Sequence, residues 1–143
     1  MLTPSEFFAG LRKDLKARLP PPLRDFRTTR QGRLMKINFG EPAFHYEAWH
    51  HTGAGRVEVG LHFEASATEN QAAFDFFRAH MVEVKASLPR AELEPWDRGW
   101  SRLYETLPAV RLDDGVLSQT VGLMSEYIVG LQPLLDEFLR SRA

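Results

Sequence analysis

Apolar and polar residues alternate from Arg33 to Glu64 with the period of two that marks strands with one buried face. Met35, Ile37 and Phe39 begin the apolar series, Phe44, Tyr46 and Ala48 continue it, and Val57, Val59, Leu61 and Phe63 complete it. The pattern predicts a three-strand meander turning at Gly40-Glu41-Pro42-Ala43 and at His51-Thr52-Gly53-Ala54-Gly55. Setting Phe39 against Phe44 places Lys36 opposite Glu47 and Asn38 opposite His45. Across the second hairpin, paired residues must differ in parity, because a slip of one residue would turn Val57, Val59 and Leu61 outward. The face away from the core then carries Lys36, Asn38, His45, Glu47, Trp49, Glu58, His62 and Glu64.

Helical periods flank the meander. Thr3-Pro4-Ser5-Glu6 has the form of a capping box, and Phe7, Phe8, Leu11, Leu15 and Leu19 follow at helical spacing up to the Pro20-Pro21-Pro22 stop. Ser66 to Glu69 repeats the capping signature before a stripe through Ala73, Phe76, Phe77, His80, Met81, Val84 and Leu88. Two short strands, near Ala91 to Glu94 and Ser101 to Leu107, flank a turn with Trp96 and Trp100 at its shoulders. A last helix starts at Asp113 or Asp114, and Gly130 and Pro133 predict a kink or a break in it. The expected architecture is a single α+β domain over 1–143 in the order α-β-β-β-α-β-β-α, mostly antiparallel, with helices on one sheet face. Its parts are an N-terminal helix over 1–19, a basic connector over 20–32, the sheet and central helix over 33–107, and a C-terminal helix over 113–141.

Composition narrows the chemistry. The chain has 143 residues and no cysteine, which excludes disulfides, thiolate metal sites and cysteine nucleophiles. The start has neither a basic n-region nor an apolar h-region and no apolar run approaches a membrane span, so the expectation is a soluble cytoplasmic protein with no membrane partner. The net charge of -1 divides unevenly: residues 1–36 hold nine Lys and Arg against three acids, a net +6. Arg24, Arg27, Arg30 and Arg33 are therefore candidates for phosphate contacts on a nucleic acid, unless this basic segment lies against an acidic body or partner.

The polar sheet face holds the sharper candidates. His45, Glu47, His62 and Glu64 alternate on adjacent strands and could converge on a divalent metal, since imidazole and carboxylate suit zinc, manganese or iron. The competing reading is a solvated face of cross-strand charge pairs with no cofactor. Trp49 is a large aromatic on that hydrophilic face, which marks an interface unless the Leu23 to Gln31 connector covers it. Trp96, Trp100 and Arg98 could stack bases or simply pack the hairpin shoulder. No Gly-x-Ser-x-Gly elbow occurs, and Gly53-Ala54-Gly55 lies between strands rather than opening a helix.

Arg56-Val57-Glu58-Val59, a helix with Phe74 and Phe77, Glu92-Leu93-Glu94-Pro95-Trp96, a strand with Arg102 and a closing helix together resemble a bacterial domain of unknown function encoded beside restriction and DNA-modification systems. That resemblance implies no catalytic residues. The element order is also similar to class I type III secretion chaperones, which implies a dimeric binding protein. The α-β-β-β-α-β run is similar to the core of the PD-(D/E)xK nucleases, with Glu47 and Glu58 where acids are wanted. There the sequence departs, because Gly60 stands where the lysine belongs. The expected function is a non-catalytic binding module, homodimeric, engaging a macromolecule through an open polar face at Lys36, His45, Trp49, Glu58 and His62. The alternatives are a metal-dependent hydrolase on the same face and nucleic-acid binding by the basic N-terminal third.

Overall fold

In a computed structural model describing residues 1–142, the apolar stripes fold onto one face of a six-stranded antiparallel sheet. The strands are β1 (Arg27–Gln31), β2 (Leu34–Asn38), β3 (Phe44–His51), β4 (Arg56–Phe63), β5 (Glu92–Pro95) and β6 (Ser101–Pro108), in the spatial order β1-β2-β3-β4-β6-β5. The helices are α1 (Pro4–Arg18), α2 (Ala67–Ala79), α3 (Met81–Ser87) and α4 (Asp114–Ser141). Phe7, Leu11 and Leu15 of α1, Phe77 of α2 and Met124, Ile128 and Leu131 of α4 share one core with Ile37, Tyr46, Val59 and Leu61. This is the expected α+β architecture, and no helix among the described residues is long and apolar enough to cross a membrane.

Both hairpin registers follow the hydrophobic pattern. Lys36 pairs with Glu47, and His45 pairs with His62, so the apolar sets of β3 and β4 face one core. Thr3 caps α1 with the reciprocal Glu6 bond in place, and Ser66 accepts from the Glu69 amide to start α2.

Three expectations need correction. Residues 27–31 of the predicted basic connector form β1, paired with β2 at the sheet edge. Arg27-Thr28-Thr29-Arg30-Gln31 has no apolar alternation because almost all of it is exposed there, and an edge strand can be held by its ladder bonds alone. The single central helix divides at His80, where the backbone turns to φ -104 and ψ 10 and the imidazole Nδ1 meets the Phe76 carbonyl at 2.7 Å. The order is therefore α-β-β-β-β-α-α-β-β-α. Finally, α4 runs unbroken through Gly130 and Pro133. Proline removes one backbone bond, but Pro133 is exposed while Leu131, Leu134 and Leu135 on the inner side are buried, so packing holds the rod together.

Candidate metal centre

The sheet face away from the helices is not open at its middle. His45, Glu47, Glu58 and His62 are 2%, 3%, 2% and 1% exposed, which corrects the expectation of a solvated contact surface at His45, Glu58 and His62. Neighbouring side chains of the sheet cover them. The His45 and His62 rings stack with centroids 5.9 Å apart, Trp49 lies on His51 at 3.8 Å, and the Arg102 guanidinium is held between Trp96 at 3.8 Å and Tyr104 at 3.9 Å.

Gly60 makes the convergence sterically feasible. It stands between Glu58 and His62 on β4, paired with Glu47 on one side and Tyr104 on the other. A Cβ added there would lie 2.5 Å from the Tyr104 Cβ and 2.7 Å from the Leu103 carbonyl oxygen. The residue that the nuclease comparison wanted as lysine is thus a position with no room for any side chain.

Two overlapping triads of donor atoms result, His45, Glu47 and Glu64, and Glu47, Glu58 and His62, each with all its atoms within 4.8 Å of one another. The partners of each group decide which donors are free. Glu58 accepts from Arg102 Nη1 at 2.6 Å through one oxygen and contacts His62 Nε2 at 2.9 Å through the other, so both its oxygens are already taken. His45 Nε2 contacts Glu47 Oε2 at 2.7 Å while its Nδ1 contacts the Pro42 carbonyl. On His62 the other nitrogen, Nδ1, is buried without a hydrogen-bond partner. It lies 3.3 Å from Glu64 Oε2 and 3.4 Å from Glu47 Oε2.

The electrostatics reflect that crowding. Burial disfavours a charged His62, but the Glu58 bond and the Glu64, Glu47 and Glu58 carboxylates outweigh it and raise its pKa to about 9. Burial likewise opposes ionisation of Glu64, yet His62, His45 and Glu47 bring it down to about 2. Glu58 is lowered despite its burial, through His62, Arg102 and His51. Across the cluster, Glu47, Glu58, Glu64 and Glu94 face Arg102 and Lys36, which leaves two negative charges unmatched when the imidazoles are neutral.

The sequence candidates divide accordingly. His45, Glu47, His62 and Glu64 are brought together, and Glu58 joins them as a support. Lys36 stands at the margin with its ammonium 3.6 Å from Glu64. Trp49 is half-buried on the same face and is not covered by residues 27–31, which lie in the sheet two strands away, beyond β2. The arginines do not form a stripe. Arg24 bonds the Leu19 carbonyl, Arg30 reaches Ser5 and the Gly32 carbonyl, Arg33 contacts His50, and Arg27 falls on the opposite face of β1 from Arg30. Sequence reasoning missed Arg102, Glu94 and His51. Glu94 and Arg102 lie about thirty and forty residues beyond the meander, and only the β4–β6 and β5–β6 registers bring them beside His62.

Compared with known proteins, the chain matches no family model, no curated protein and no solved structure. The resemblances named above therefore rest on element order and the residues quoted for them.

Proposed function

We propose that this protein binds one divalent transition-metal ion on the polar face of its sheet. The donors are His45 Nε2, Glu47 Oε2, Glu64 Oε2 and His62 Nδ1. The observation that carries this reading is the unpartnered, buried His62 Nδ1 facing two carboxylate oxygens. The four nitrogen-to-oxygen separations in this set run from 2.7 to 3.7 Å. They bracket the spacing of about 3.3 Å between donors of a tetrahedral ion with bonds of about 2.0 to 2.1 Å. The two imidazoles fall in separate triads, so an ion would draw them toward each other from either side of Glu47.

Glu58 is a supporting group in this reading. It fixes His62 through Nε2 and is itself fixed by Arg102, the carboxylate-imidazole-metal relay that orients a ligand and raises its basicity. One divalent ion also matches the two unpaired negative charges, whereas two ions would leave the buried cluster positive. A donor set of two imidazoles and two carboxylates suits zinc, manganese or iron.

Elemental analysis of purified, untagged protein, with thermal melting in the presence and absence of zinc or manganese, tests the reading. The expected result is close to one ion per chain and a melting point that rises with metal, since a ligand preferring the folded state stabilises it. A chain that takes up no ion and melts at an unchanged temperature overturns it.

A second reading draws on Trp49, a large aromatic left half-buried on that face. It makes the rim around Trp49 the contact for a macromolecular partner or a second copy of the chain. Trp49→Ala should then reduce association in sedimentation and pull-down without loss of helical content, and unchanged association would dispose of it.

A further inference from the structure

We propose that a recess between β1 and β2, beside the metal donors, takes a small oxyanion, a phosphate or carboxylate group held between the ion and the Lys36 ammonium. The inference rests on the metal reading above and adds the class of ligand that the ion would meet.

Four observations place the anion here. The recess is about 320 Å³ and is lined by Thr29, Arg30, Gln31, Leu34 and Lys36, without a carboxylate; Lys36 is its cation, because the Arg30 guanidinium turns to Ser5 and the Gly32 carbonyl. Of three larger surface cavities, two have Asp14 and Asp114 or Glu92 and Glu105 in their walls, and the third, which holds Arg33 and Arg111 without a carboxylate, is lined by none of the metal donors. Thr29 and Lys36 are a cross-strand pair, and so are Lys36 and Glu47, so the recess lies one strand over from a proposed metal ligand. At the strand spacing of about 4.8 Å, an anion seated against Lys36 is within reach of an ion at Glu47 and Glu64.

The remaining observation is the direction of access. His45, Glu47 and His62 side chains are at most 4% exposed, whereas Glu64 is 10% exposed and Lys36 40%. The accessible side of the centre is therefore the side on which Lys36 stands. Its Nζ is 3.6 Å from Glu64 Oε1, whereas the proposed donor is Oε2. Lys36 can thus turn its three N–H donors to an incoming oxyanion while Glu64 stays on the metal. The Thr29 hydroxyl supplies a neutral donor across the recess. A zinc-type centre accommodates such a guest by expanding from four to five ligands.

Calorimetric titration of inorganic phosphate, and separately of acetate, into the full chain loaded with one equivalent of manganese tests this, with metal content measured on the same samples. We expect saturable one-to-one uptake of at least one of the two anions, which also separates phosphate from carboxylate recognition. Lys36→Met should weaken it by at least about tenfold and Thr29→Val by about threefold, with metal content and circular dichroism unchanged. A loaded wild-type protein that takes up neither anion, or a Lys36→Met variant that binds as tightly as wild type, overturns the inference while leaving the metal reading intact. Wild-type protein that fails to load metal overturns both.

Discussion

On one face of the sheet Ile37, Tyr46, Val59 and Leu61 are buried under helices; on the other, His45, Glu47, Glu58 and His62 are buried just as deeply by the sheet's own side chains. The two sets come from alternate residues of the same strands. Apolar burial is non-directional, so the helix-covered face needs only volume and pattern. Polar burial must be paired atom by atom, so the other face is a connected chain running from Glu94 through Arg102, Glu58 and His62 to Glu47 and His45. Among the described residues this pairing leaves two buried nitrogens over, His51 Nε2 and His62 Nδ1, and the ion is placed at the second, which faces two carboxylates.

The contrast can be broken from the polar side first. Arg102→Met leaves Glu58 buried with one oxygen unpaired and should cost about 3 to 5 kcal/mol in urea unfolding, because a stranded buried charge costs more than the pair was worth. A loss below about 1 kcal/mol would mean that water reaches Glu58, as at a surface pair. On the apolar side, Leu61→Ala should cost about 2 to 5 kcal/mol through its cavity, with metal uptake unchanged. If metal uptake fell with it, the two faces would not be independent.

Gly60→Ala tests the hinge between them. Its Cβ would meet Tyr104 and Leu103, so overpacking of about 1 to 3 kcal/mol is expected, together with loss of metal uptake as Glu47 and His62 are pushed apart. Wild-type metal content in a folded Gly60→Ala protein would show that the donors do not need the vacant position. A more gradual effect concerns pH in the metal-free protein. The folded pKa of His62 is raised from 6.5 to about 9, so its stabilisation is fully present below pH 6.5 and is lost as pH rises through 9. Unfolding midpoints should fall across that window, and the fall should vanish in His62→Gln. The smallest effects belong to the edge: Arg27→Ala and Arg30→Ala should each stay within about 0.5 kcal/mol, and a larger loss would make β1 more than a ladder-held edge.

Much of this was legible in the chain. A period of two with glycine-bearing turns sets which residues share a face wherever one face must be buried, so Lys36 opposite Glu47, and His45 on one face with His62, follow from Met35, Phe44 and Val57. Helix starts at Thr3, Ser66 and Asp113 were equally local, because a cap acts within one turn. The grouping of His45, Glu47, His62 and Glu64 came from the same alternation. By contrast, β1 carries no periodic signal, since neither of its faces is buried. The continuity of α4 through Pro133 and the division at His80 depend on packing that no local pattern encodes.

What only the tertiary structure decided is the state of the polar face. Alternation places side chains on one side of a sheet, but says nothing of how far the sheet closes over them. That depended on Gly60 meeting Tyr104, on Arg102 arriving from β6 between Trp96 and Tyr104, and on Glu94 from β5. These are contacts between residues far apart in the chain, and they turn charges that pattern alone would leave in water into a buried, pairing-dependent cluster. Sequence by itself determined which residues share the face, because side-chain direction along a strand is a local property. Burial, pairing and the unpartnered nitrogen of His62 are set by long-range neighbours, so only the folded chain could reveal them.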